Sequence, residues 1–167
     1  QIARSTVTRP GAGQRTTASC GRQNRSRPGG DYRRLVQTQG VDMQGVARWF
    51  FTVAVVFAIV GMGLGLKMGL TQTHDQIPTH AHAMLVGWVN SALMGYFYHL
   101  FPAVGASRLA HVHFLLQTAG AVVLTASLWF IYAGNPAFGA GAGAGAIGVL
   151  LGMLLFAWIA LRRVWKA

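Results

Sequence analysis

Six histidines stand against three acidic residues in this 167-residue chain, and they set the chemistry it can offer. They are His74, His80, His82, His99, His111 and His113. Imidazole is the commonest metal ligand near neutral pH. Each of the six lies near the end of a long apolar stretch or in the loop between two. The competing role is plain: histidines at such places hydrogen-bond lipid headgroups, water or a backbone carbonyl. Cys20 is the single cysteine, which excludes an internal disulfide and a paired-cysteine metal site. No HExxH, P-loop or GxSxG string is present, and no GxGxxG follows a strand-like run. Hydrolase and nucleotide chemistry therefore have no support.

The elements that must position these histidines are apolar helices. Hydrophobic residues make up 53% of the chain and charged residues 10%, against roughly 25% charged in a soluble domain. The stretch from Pro78 to Pro102, PTHAHAMLVGWVNSALMGYFYHLFP, exceeds the 20 or so residues needed to cross a bilayer. Polar groups at that depth face the protein interior or a functional site, so this helix is expected to form the inner wall of a small bundle. Four spans are expected, at about 46–68, 78–101, 108–133 and 138–161. The fold class is an all-α membrane protein, an up-down bundle of four transmembrane helices. Pro78 suits a first helical turn, and Ser107 an N-cap. Gly61, Gly63 and Gly65 permit close approach of a neighbouring helix. In GAGAGAGAIG, Gly141 with Gly145 and Gly148 with Gly152 give small-xxx-small contact faces.

Residues 1–42 are of different material, rich in Arg, Gly, Ser and Thr and without apolar periodicity, and read as a disordered basic tail. Three readings of it compete. It is translated upstream sequence ahead of a start at Met43, a tail for anionic headgroups, or a transit peptide. The first is preferred, because residue 1 is not Met and nothing in the tail serves the bundle. The folded unit is then 43–167. The net charge of +11 is concentrated here, with eight of the fourteen Lys and Arg before residue 43. Nucleic acid is not an expected partner, since Tyr32 alone offers a base something to stack on. The partner is the lipid bilayer. Arg48, Arg108, Arg162, Arg163 and Lys166 fall on one side of a four-span chain, which places both termini in the cytoplasm. His74, His80 and His82 then lie toward the outer face, and His99, His111 and His113 toward the inner.

Helical phase sorts the histidines. Residues two apart diverge by about 200°, so His80 and His82 cannot face one site on a regular helix. His80 is in phase with Met84, Gly87, Ser91, Gly95 and Tyr98, a stripe of small and polar residues expected to face the bundle. His82 is in phase with Val86, Val89 and Leu93, a face suited to lipid or a flat apolar ligand. His113 shares its face with Gln117, Gly120 and Leu124, and His111 with Leu115, Thr118 and Val122. The inward members are expected to be His80 and His113. His99 and His113 are expected at similar depth across a hairpin.

At THAHAMLVGW…GYFYHLFP the chain resembles the haem–copper oxidase superfamily, the subunit I of cytochrome oxidases and nitric oxide reductases. In that family the second helix begins with a histidine that ligates a low-spin haem. His80-Ala81-His82-Ala83-Met84 gives His80 the matching spacing to Met84. HFLLQTAG resembles the family's third helix, and the whole from Met43 onward is similar to short bacterial proteins of oxidase-subunit-I type. The resemblance implies haem b, with His80, His82, Met84, His99 and His113 as candidate cofactor-binding residues. It implies a bacterial inner-membrane location, with an electron-transfer or oxidase-assembly role. Other respiratory-chain subunits or a homo-oligomer are the implied partners. The superfamily's copper and high-spin haem ligands lie on later helices, so the chain is not expected to reduce oxygen alone. The alternatives are a copper or zinc protein using His80, His82, His74 and His111, and a structural subunit without a cofactor.

Overall fold

The computed structural model describes residues 42–165. The basic tail with Cys20, and Lys166, lie outside the described residues, and so does the reading of that tail as disordered. All regular elements among the described residues are helical. Helix α1 is Val46–Thr71. Then come α2, Ile77–His82, a π-helical stretch, Ala83–Asn90, and α3, Ser91–Leu100, end to end. A short α4, Pro102–Gly105, leads to α5, Arg108–Tyr132. A 3-10 turn, Pro136–Phe138, precedes α6, Gly139–Val164. Among the described residues, three helices are long and apolar enough to cross a membrane: Val46–Thr71, Arg108–Tyr132 and Pro136–Val164.

Local chemistry explains the boundaries. Pro78 stands in the first turn of α2, where its missing N–H costs nothing. Ser107 caps α5 by accepting from the Ala110 amide at 3.2 Å. Gly134 takes φ +97°, a conformation only glycine adopts freely, and turns the chain between α5 and α6.

Two seams hold the bundle. Along the first, Gly141, Gly145, Gly148 and Gly152 of α6 lie against Ser127, Leu124, Gly120 and Gln117 of α5. A Cβ on Gly120 would sit 2.7 Å from the Val149 nitrogen, so the two backbones run in direct contact. Gly143, between these positions, and Gly139, just before them, face open space. The second seam joins α1 to the interrupted helix, with Gly87 receiving Phe57, and Gly95 lying against the backbone of Ala47 and Phe51. Helices α1, α3, α5 and α6 meet in a core that includes Val46, Phe50, Met94, Tyr98, Ala110 and Ile159. This core lies at the His99 end of the bundle.

The π stretch changes the expected phase. Gly87, Ser91, Gly95 and Tyr98 are buried, as the stripe predicted. Beyond the wide turns, however, the buried positions are Ala83 and Thr79, not Met84 and His80. A π turn closes i→i+5 and holds more residues than an α turn, so buried positions recur every fourth residue there. His80 and Met84 are half-buried against α1 instead.

Candidate functional site

His80 is set by α1. Its ring lies over Gly65, where a Cβ would come within 2.9 Å of Cε1. Its Nδ1 stands 2.8 Å from the Gly61 carbonyl oxygen. A carbonyl only accepts, so Nδ1 carries the proton and donates. Nε2 then bears the lone pair, and it has no hydrogen-bond partner among the described residues. This arrangement is the one found behind most metal-ligating histidines, whose second nitrogen is held by a carbonyl or carboxylate. Met84, one turn further on, also packs on Gly61. His80 and Met84 therefore approach α1 from one helix and one side.

His82 diverges from His80. Its Nδ1 lies 2.8 Å from the Pro78 carbonyl oxygen of its own helix. It lines an apolar groove of about 530 Å³ between the interrupted helix and α6, walled by Val86, Val89, Leu93, Leu150 and Met153. Ligand pockets span roughly 300–1,000 Å³. Asn90 is the other polar residue lining it.

His113 is the buried one, with no exposed surface. It shares a 2.9 Å hydrogen bond between Nδ1 and the Tyr98 hydroxyl. Phe50 and Phe156 lie against the ring, at 5.1 and 5.4 Å between centroids. Its Nε2 is buried and has no partner among the described residues, and the same holds for both amide atoms of Gln117 and the Ser91 hydroxyl. The aromatic box leaves no space for a macrocycle beside His113. His99, the residue expected to meet it, is displaced by its neighbour Tyr98 and is half-buried. His111 is exposed and bonds the Ser107 carbonyl, and His74 lies exposed in the loop after α1. Among the described residues no three His, Cys, Asp or Glu side chains converge as a metal site. His80, His82, His74 and His111 are thus not gathered within one chain.

Two features escaped sequence reasoning. Gln76, 2% exposed, donates from Nε2 to the Trp129 carbonyl at 3.3 Å and accepts from Thr79 at 2.7 Å, pinning the start of α2 to α5. Tyr98 as the partner of His113 had one signal: it shares the stripe of Ser91 and Gly95.

A stretch of 74 residues is 39% identical to the cbb3-type cytochrome c oxidase subunit CcoN1 of Stutzerimonas stutzeri. The chain is similar to an oxidase subunit I. The matched stretch is 41% of this chain and 16% of that protein, so the chain spans a small part of its relative's length. No family model matches the chain, and no solved structure matches it.

His80 presents an Nε2 with no hydrogen-bond partner among the described residues, and His82 lines an apolar groove, so these two are the residues that would hold a haem. Haem there would supply one-electron transfer, with the imidazole and its hydrogen bond tuning the iron.

Proposed function

We propose that this is a multi-pass bacterial inner-membrane protein that binds haem b through His80 and serves electron transfer or the assembly of a larger oxidase. Its spans are α1, the interrupted helix, α5 and α6. The interrupted helix has 24 residues in its three segments, of which the 16 α-helical ones reach about 24 Å at 1.5 Å per residue, and the eight of the π stretch carry it across a bilayer core of about 30 Å. Arg48, Arg108, Arg162 and Arg163 share one end of the bundle, which supports a cytoplasmic side for both termini. Residues 43–167 are the folded unit.

The observation that carries the haem reading is the 2.8 Å bond from His80 Nδ1 to the Gly61 carbonyl. It crosses between helices and fixes ring direction and tautomer together. The bond of His82 to Pro78 is the local kind that any helical histidine can make. The similarity to a cytochrome oxidase subunit supports the choice of haem over copper or zinc. The test is a visible spectrum of protein purified after haem-replete expression, for wild type, His80→Ala and His82→Ala. A Soret band lost or shifted in His80→Ala and kept in His82→Ala is the expected result. The reverse pattern moves the ligand to His82 and its Val/Leu face. No Soret band in wild type leaves the second reading, a structural subunit in which the His80–Gly61 bond only locks two helices together.

A further inference from the structure

A cleft between α1 and α5, closed behind by α2 and the π stretch, is not used by any role given above. Its volume is about 540 Å³ and its walls are almost wholly apolar. It is open because Gly63, Ala83 and Ala126 present so little side chain, and a Cβ on Gly63 would meet nothing within 4 Å. At its mouth stand Lys67 and Trp129, with the ammonium 5.3 Å from the centre of the indole ring. The other lysines and arginines among the described residues, Arg48, Arg108, Arg162 and Arg163, lie at the opposite end of the bundle.

We infer that this cleft holds the acyl chain of an anionic phospholipid whose phosphate is received by Lys67. Length decides for a lipid over a further helix. The lining residues of α1 run from Val56 to Lys67, about 16 Å at 1.5 Å per residue. Half of a 30 Å hydrocarbon core is about 15 Å, so the cleft spans one leaflet and stops at the midplane. A transmembrane helix would need a groove running the full depth. Charge decides for an anionic head. The indole face holds the ammonium at the interface, and an ammonium keeps further N–H donors for phosphate oxygens. A phosphatidylcholine head carries the same phosphate, but its quaternary ammonium brings a second cation beside Lys67, which an anionic phosphatidylglycerol head does not. The inference rests on the membrane-spanning reading, whose own failure would show separately, as protein released from membranes without detergent.

The test measures lipid retained by purified full-length protein from mixed nanodiscs of phosphatidylglycerol and phosphatidylcholine with identical chains, counted by native mass spectrometry. Wild type is expected to retain phosphatidylglycerol about fivefold over phosphatidylcholine, the size of effect one lysine gives at a charged surface. Lys67→Gln should bring the ratio to one, and Lys67→Arg should restore it. Gly63→Phe should fill the cleft and release both lipids while α-helix content by circular dichroism stays unchanged. Equal retention of the two lipids by wild type overturns the inference, as does a preference that survives Lys67→Gln. Undiminished retention in Gly63→Phe overturns the acyl-chain seat. Loss of a dimer mass in that variant, with lipid counts unaltered, gives the cleft to a second copy of the chain.

Discussion

Adding one methyl group at Gly120 should force α5 and α6 apart. The new Cβ would stand 2.7 Å from the Val149 nitrogen, 2.9 Å from the Gly148 carbonyl carbon and 3.1 Å from the Gly145 oxygen. All three are backbone atoms, so no side chain can rotate away. Ordinary contact begins near 3.4 Å, and the helices must separate by about 0.7 Å. A gap of that size forfeits a quarter to a half of each dispersion contact along the seam, and overpacking of this kind costs about 1–3 kcal/mol. Alanine's better helix propensity returns about 0.5–1 kcal/mol. The net expectation for Gly120→Ala is a loss of about 1–2 kcal/mol. Gly143→Ala is the matched control, since its Cβ meets nothing within 4 Å, and it should gain the propensity term alone. Reversible denaturant unfolding in detergent, followed by circular dichroism, reads both. If Gly120→Ala is as stable as wild type, or Gly143→Ala loses as much, the backbone seam does not hold these helices.

Tyr98→Phe should cost about 1–3 kcal/mol, because it leaves His113 buried with neither ring nitrogen paired. The double change with His113→Phe should recover most of that loss, and a thermodynamic cycle in detergent gives the coupling; an additive pair would refute it. Gln117→Leu should stabilise by about 1–2 kcal/mol, since the fully buried amide has no partner and sits pressed on Gly152. Destabilisation in the same unfolding assay would show that the amide has a partner in the membrane.

How far the sequence led can be judged residue by residue. The seam of Gly141, Gly145, Gly148 and Gly152 was legible because small residues four apart on an apolar helix have few other uses. Burial of His113 with Gln117, Gly120 and Leu124 followed from simple phase, as α5 is regular throughout. The same arithmetic misplaced the first turn of the interrupted helix. It assumed 3.6 residues per turn across Ala83–Asn90, and nothing in AMLVGWVN announces a π stretch. The approach of His80 to Gly61 was half legible: the glycines promised a close neighbour without naming it. Gly63, of the same trio, faces the cleft between α1 and α5. The pairing of His113 with Tyr98 depended on rotation of two helices about their axes, which a hairpin's depth alone does not give.

The setting of His80 has a consequence for how the protein is made. Its seat and its hydrogen-bond acceptor both belong to α1, which precedes it in the chain. Chains fold N-terminus first during synthesis, so the first hairpin emerges from the insertion machinery with that imidazole already aimed. α5 and α6 follow as a second hairpin zipped by their own glycines, and they join the first through α5, with His113 against Phe50 and Tyr98 and the Trp129 carbonyl bonded to Gln76, while Phe156 of α6 packs on Phe97 and Tyr98. Under the proposed haem role, both contacts that orient His80 belong to the first hairpin, before α5 and α6 are made.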